Sequence, residues 1–232
     1  MKERSSDLIE KALISSILTG EYKPGESMLS ERDLATSFSV GRPTIREVLQ
    51  RLERDGWITI RKNSPAIVNE YWKQGNLMTI VNILKASPEI PDQFIEYVLE
   101  LRISLTPTYT KDAITQHPVK VIALFTNLDE LEDDASSFAS FDWHLQQGLA
   151  KLSSNPIYLL ILNSFKDVYL RLGEKYFQEA SHREASRKFY DDFLQALFEK
   201  DVEGTERLSL EMMKRSLELW KTKKSRSDQY EE

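Results

Sequence analysis

Arg42, Thr44 and Arg46 open a stretch of helical period, and their types and spacing suit one chemistry, hydrogen bonding to the base edges and phosphates of a DNA duplex. An arginine can donate two bonds to guanine O6 and N7 in the major groove, and a threonine hydroxyl can reach a base or a phosphate. The neighbouring residues say how such side chains would be presented. Pro43 suits the first turn of a helix, where its missing N–H would be unpaired anyway. From there Ile45, Val48, Leu49 and Leu52 recur at spacings of three and four, which makes one buried face and leaves Arg42, Thr44, Arg46 and Gln50 elsewhere on the cylinder. Ser39-Val40-Gly41 reads as the turn from a preceding helix, so residues 34–57 have the organisation of a helix-turn-helix. Taken alone, the same residues also describe an amphipathic hairpin with arginines on a solvated face.

The flanking elements follow from period and punctuation. Residues 7–19 read as a first helix, with Leu8, Ala12, Ile14, Ile17 and Leu18 on a mostly apolar face and with Gly20 and Pro24-Gly25 ending it. Ser30 followed by Asp33 is a capping-box pattern that starts a second helix and places Arg32 in its first turn. Beyond the third helix, residues 57–60 and 66–68 are strand formers around a basic, turn-rich tip at 61–65 that includes Lys62 and Asn63, a two-stranded wing. Residues 69–76 read as a connection whose Tyr71 and Trp72 pack the linker between domains.

Past that point strand signals vanish. Residues 77–85, 91–113, 119–137, 138–153, 156–177, 182–200 and 202–222 are helical in period, and Pro107 should end or kink its helix. The tail over 221–232 is almost wholly polar and reads as disordered. The expected fold is α+β and mostly α: an N-terminal winged helix-turn-helix over residues 1–72, then an all-α ligand-sensing bundle of six or seven helices over residues 73–228.

Charge limits how DNA could be held. The 232 residues carry 31 basic and 37 acidic side chains, net −6; residues 1–72 hold 11 of each, so the remainder carries the whole imbalance. Residues 42–62 contain six basic side chains against three acidic. Affinity must then come from a few placed contacts doubled by a homodimer, rather than from a broad positive field. No cysteine is present, which excludes disulfides and thiolate metal sites, and no apolar run is long enough to span a bilayer, so a cytoplasmic protein with no membrane partner is expected.

Many spaced positions together, including Pro24-Gly25, Leu29-Ser-Glu-Arg32, Arg42-Pro43-x-x-Arg46-Glu47, Gly56-Trp57-Ile-Thr-Ile60 and Ala66-Ile-Val68, resemble the winged-helix domain of the GntR family of bacterial regulators. The resemblance implies a regulator, repressor or activator, that binds a palindromic double-stranded DNA operator through Arg32, Arg42, Thr44, Arg46, Lys62 and Asn63. Asn155-Pro-Ile-Tyr158, with Leu160 to Asn163, and Tyr169-x-Arg-x-Gly-x-x-Tyr-Phe177 narrow it to the FadR branch, whose members regulate fatty acid metabolism and are released from DNA by long-chain acyl-CoA. That branch implies acyl-CoA contacts from Arg102, Tyr169, Tyr176, Ser216 and Trp220, although each aromatic could equally be ordinary core. Met213, Arg215 and Gln146 depart from its pattern, as does Asn63 where the wing would carry glycine.

The alternative is a GntR-family regulator of the FCD type that senses a different small carboxylate through a metal held by an aspartate and three histidines. Asp142 occupies the aspartate position, but four residues later stands Gln146, and the only histidines are His117, His144 and His182, so no metal or other cofactor is expected. An acyl-thioester-cleaving enzyme finds no support: there is no cysteine and no nucleophile-elbow pattern.

Overall fold

Ser30 accepts a hydrogen bond from the Asp33 backbone N–H at 3.2 Å and donates its hydroxyl to the Asp33 carboxylate at 2.6 Å, so the cap read from the sequence does start a helix, at Glu31. In the computed structural model, which describes residues 4–62, 64–87 and 91–228, the chain divides into two units, Met1–Glu89 and Ile90–Glu232. The first holds α1 (Ser5–Leu18), α2 (Glu31–Ser37), α3 (Arg42–Arg54), β1 (Ile58–Arg61), β2 (Ser64–Val68), α4 (Tyr71–Gln74) and α5 (Leu77–Ala86).

The apolar face expected of α3 is the face it buries, since Ile45, Val48, Leu49 and Leu52 are all closed to water. α1 and α2 pack against α3, and Ile9, Leu13, Ile14 and Ile17 of α1 and Leu34 of α2 are buried as well. The face of α1 differs in phase from the expected one: Leu8 and Ala12 are exposed, and Ile9 and Leu13 take the inner positions. Equal apolarity on both sides of α1 left its rotation to be fixed by packing against α3. The wing strands pair antiparallel, with Ile58 opposite Val68 and Arg61 opposite Ser64, so the strands run further toward the tip than the sequence pattern suggested. Backbone bonds from Gly25 and Met28 to Val68 and Ala66 carbonyls add the Pro-Gly segment beside β2.

The C-terminal end of α3 is tied closely to α4 and α5. Asp55, almost fully buried, accepts from Arg54 Nε at 2.7 Å and from Asn82 Nδ2 of α5 at 2.8 Å. Asn76 caps α5 and also donates to the Arg54 carbonyl, while the Thr79 hydroxyl donates to the Asp55 carbonyl. Gly56 lies at φ +82°, and a Cβ there would fall 2.6 Å from the Gln74 carbonyl oxygen, so this turn accepts no other residue. The connection expected over 69–76 therefore contains the short helix α4, whose Tyr71 packs on Trp57 with ring centroids 4.9 Å apart, inside the first unit.

The second unit is seven helices among the described residues: α6 (Asp92–Gln116), α7 (Pro118–Ala123), α8 (Ala135–Leu152), α9 (Pro156–Ser164), α10 (Lys166–Phe177), α11 (Ala180–Phe198) and α12 (Val202–Asp228). α6 and α12 lie antiparallel, with Lys111 paired to Glu206 at one end and Trp220 Nε1 donating to the Asp92 carbonyl at the other. α6 continues through Pro107, which is buried within it, rather than ending there. The helix expected over 119–137 stops at Ala123, and after a stretch of turns a new helix, α8, starts where Asp134 accepts from the N–H groups of Ser136 and Ser137. The 156–177 segment likewise breaks at Phe165 into α9 and α10. The tail expected to be disordered is helical as far as Asp228: Lys223 pairs with Glu179 at 3.1 Å and lies over the Trp220 ring, so its charge has partners in the fold.

Replacing Gly56 with alanine tests the junction of α3 with α4. The left-handed conformation alone should cost about 1–3 kcal/mol, with the clash adding to it. Urea unfolding of the first unit should shift to lower midpoint by at least that amount, whereas Gly20→Ala, which has the same backbone sign but open space around it, should show the conformational cost only.

Candidate DNA-binding face and sensor cavity

Arg42 and Arg46 project from the first two turns of α3 and are exposed, and Thr44 between them is half-buried. Arg32 at the start of α2 and Lys62 at the wing turn are exposed as well. A groove of ≈380 Å³ between α2, α3 and the wing is lined by Arg32, Arg46 and Arg61, so three separate elements bring their cations together. Arg61, which sequence reasoning counted only as part of a basic tip, belongs to this groove. Asn63 lies outside the described residues.

Not every arginine of α3 serves that face. Arg51 reaches Asp7 at 2.8 Å, Glu10 at 3.1 Å and Glu47 at 2.5 Å, and those carboxylates hold its guanidinium firmly protonated. Arg54 is committed to Asp55. Both therefore drop out of the basic footprint of residues 42–62 and act as braces inside the first unit. Glu53 is a brace too, accepting from the Ile60 N–H at 2.7 Å and fastening the wing to α3. Arg46 itself is held by Glu31, with Nη2 at 2.7 Å and Nε at 3.3 Å from its two carboxylate oxygens.

In the second unit the branch-implied residues converge on a buried polar cluster. Arg102 of α6 contacts Asp142 of α8 at 3.0 Å and lies 5.3 Å from the centre of the Tyr169 ring, and the Tyr169 hydroxyl donates to Asp142 at 2.5 Å. Gln146 and Tyr190 reach the same carboxylate at 3.4 Å, and Tyr109 donates to Gln146 at 2.6 Å. Burial opposes the charge on Arg102, but Asp142 and the surrounding hydroxyls more than offset it and raise its pKa. Burial pushes Tyr109 up to about 12 and holds Tyr169 and Tyr190 well above the usual phenol range, so all three are neutral donors at pH 7. The residue in the FCD aspartate position is thus engaged by a cation and hydroxyls, while His144 is exposed against the Ser140 carbonyl and His182 bonds the Tyr176 carbonyl. Among the described residues no group of three histidine or carboxylate side chains is placed to hold a metal ion.

Arg102, Tyr169 and Tyr176 line one cavity with Ile95, Leu99 and Asp142, and its volume is only ≈30 Å³. That admits a water or two and no acyl chain. Two of its polar atoms lack partners: Arg102 Nε and the Tyr176 hydroxyl are buried without a hydrogen bond. Burial pushes the Tyr176 phenol up to about 12, the nearby Ser216 hydroxyl offsetting part of the rise, and Ser216 donates instead to the Met212 carbonyl at 2.9 Å. Trp220 is buried behind Tyr176, with ring centroids 6.2 Å apart. Of the two departures in α12, Met213 is buried and Arg215 is exposed beside Glu218.

A winged helix-turn-helix joined to an all-helical unit with a buried polar cavity is the architecture of a bacterial regulator with its own sensor. Residues 6–68 match the model of bacterial regulatory proteins of the gntR family and residues 69–230 match the FadR C-terminal domain; the chain belongs to the GntR family and carries the FadR type of C-terminal domain. It is similar to the fatty acid metabolism regulator protein of Shewanella pealeana, 38% identical over 192 residues that cover 83% of this chain and 80% of that one. The protein of the same name from Klebsiella pneumoniae subsp. pneumoniae is 38% identical over 181 residues, 78% of this chain and 76% of that one. The solved structure of Lar, described as controlling expression of the Listeria monocytogenes agr system, aligns over 96% of this chain and 99% of its own with a TM-score of 0.64 at 17% identity, a likeness of fold. These relatives are named as regulators, and the chain is a regulatory protein rather than an enzyme. No helix among the described residues is long and apolar enough to cross a membrane.

The Arg102–Asp142 pair makes a stability prediction. Asp142→Ala leaves a buried guanidinium uncompensated and should cost about 3–5 kcal/mol, whereas replacing both residues by apolar ones of similar volume should recover most of that. Urea unfolding followed by fluorescence of the buried Trp143, whose ring lies 5.2 Å from Tyr169, reads both. An Asp142→Ala variant as stable as the parent would mean that water, not Asp142, solvates Arg102.

Proposed function

We propose that the chain is a cytoplasmic transcriptional regulator of fatty acid metabolism that binds a palindromic operator as a homodimer and leaves it when long-chain acyl-CoA fills the sensor unit. The observation that carries the DNA half is the presentation of Arg42, Thr44 and Arg46 on the solvent side of α3, with Arg46 sharing a groove with Arg32 and Arg61. A single such face is small and the chain is net negative, so two faces on one duplex, about one helical turn apart, supply what one cannot. Support for the ligand half comes from the names of the relatives and from the cavity, where Arg102 and Tyr176 hold polar atoms without partners.

The cavity is small. An acyl chain needs several hundred Å³, on the scale of about 300 Å³ or more, so binding must part helices that meet around the ≈30 Å³ space. This is what a switch requires, because a ligand shifts an equilibrium only by favouring one arrangement over the other. Tyr71, Asn76 and Asn82 fasten the segment after the wing to the C-terminal end of α3, so displacement of that segment bears on the recognition helix itself.

Duplexes selected from a randomised pool with the full-length protein give the operator, and sedimentation gives the dimer. Arg42→Ala should weaken binding to the selected duplex by about 1–3 kcal/mol and flatten discrimination against random sequence. Titrating the complex with acyl-CoAs of increasing length should release DNA at long chains and much less with free CoA or free fatty acid, and Tyr176→Phe should blunt release without changing DNA affinity. DNA binding with no release at any length, and no heat of binding, would leave a regulator whose ligand is another small molecule, such as a carboxylate.

A further inference from the structure

Among the described residues, the groove between α2, α3 and the wing contains one carboxylate, and its position is unexpected for a surface that meets phosphates. Glu31 is the first residue of α2, and its two oxygens engage Arg46 on one edge, through Nε at 3.3 Å and Nη2 at 2.7 Å. Both side chains remain open to solvent, 61% for Arg46 and 37% for Glu31. An ion pair this exposed contributes little to stability. Its geometry, however, constrains Arg46. A guanidinium has five N–H donors in a rigid plane, and a carboxylate on the Nε edge leaves the terminal end, both Nη1 hydrogens and one on Nη2, facing outward. That end is the fork that reads guanine O6 and N7. The pairing draws the Glu31 carboxyl below its usual range, with Arg42 adding to the effect, so Glu31 is charged throughout the neutral range.

We propose that Glu31 is a specificity-setting residue of the DNA-binding face: it holds the Arg46 fork in the orientation that reads a base and, by its own charge, disfavours the capture of Arg46 by a phosphate. Without it, Arg46 is a long flexible cation beside Arg32 and Arg61 and binds any backbone. With it, Arg46 gains from DNA only where a guanine edge meets the fork. The charge is also a cost on every duplex, correct or not, which matches a regulator that relies on few contacts rather than on bulk field.

This rests on the reading of α3 as the recognition helix, and the experiment separates the two. Using the whole 232-residue chain, affinities for the selected duplex and for a random duplex are measured across a salt series for wild type, Glu31→Ala, Glu31→Gln, Arg46→Ala and the double variant, with Arg42→Ala as the control for the face. Glu31→Ala should tighten random-duplex binding several-fold and steepen its salt dependence, while the ratio of selected to random affinity falls about tenfold or more, the scale of one bidentate base contact. Glu31→Gln keeps part of the positioning and should fall between. In the Arg46→Ala background, removing Glu31 should raise both affinities alike and leave the ratio unchanged. Equal gains on both duplexes in the wild-type background would make Glu31 a repulsive charge only and overturn the proposal, as would no change on either. If Arg42→Ala also leaves the ratio untouched, the reading of the face fails, and the proposal with it.

Discussion

A carboxylate removed from water must be answered by donors, and each unit of this chain is arranged around one such group. Asp55 sits at the end of the recognition helix, where Arg54 and Asn82 close on it, and this fixes where α5 begins and how the wing leaves α3. Asp142 sits in the middle of the helical unit, where Arg102, Tyr169, Tyr190 and Gln146 converge on it from four helices. Replacing any one donor leaves the buried carboxylate short of a partner, so these clusters specify a single arrangement more sharply than the surrounding Leu, Ile and Phe contacts could. Glycine does the complementary work: a Cβ at Gly56 would fall 2.6 Å from the Gln74 carbonyl oxygen, and one at Gly173 would fall 3.1 Å from the Ala139 side chain of α8.

The same need for partners shapes the DNA face. Four arginines lie along α3, but Arg51 and Arg54 are consumed by carboxylates of the first unit and Arg46 is shared with Glu31. Arg42 and the cations of α2 and the wing make up the balance. Under the proposed function, a face this sparse on a chain of net charge −6 cannot hold DNA by electrostatic attraction alone, so its selectivity would depend on where each fork points.

Elements with a strong local signal were legible in the sequence. Ile45, Val48, Leu49 and Leu52 had one possible inner face, Ser30 had an acid three residues on, and Pro43 had one comfortable position, so α2 and α3 fall where they were expected. The misreadings share a cause, the absence of a local preference strong enough to decide. Leu8 and Ile9 are equally apolar, and only packing on α3 chose between them. Asp134 could sit within a helix or cap one, and its bonds to Ser136 and Ser137 selected the cap. The polar tail looked disordered because the partners of Lys223 are Glu179 and Trp220, one of them 44 residues away in sequence. For the candidate sites, a motif could place Arg102, Tyr169 and Tyr176 in the sensor, but spacing alone could not show that Asp142 faces Arg102 across 40 residues or that Glu31 grips Arg46.

Under the proposed function, the small size of the cavity sets the energetics of the switch. Arg102 Nε and the Tyr176 hydroxyl are the two polar atoms of the cavity with no hydrogen-bond partner in the protein. A ligand oxygen entering there can accept from both donors. Against it stands the cost of parting well-packed helices, including the close α8–α10 approach at Gly173. A small polar molecule could meet the donors without opening the helices and would not distinguish the two arrangements, whereas a long apolar chain bearing a polar head must do both. Under the proposed function, the effector must be large enough to part these helices and polar enough at one end to be held between them.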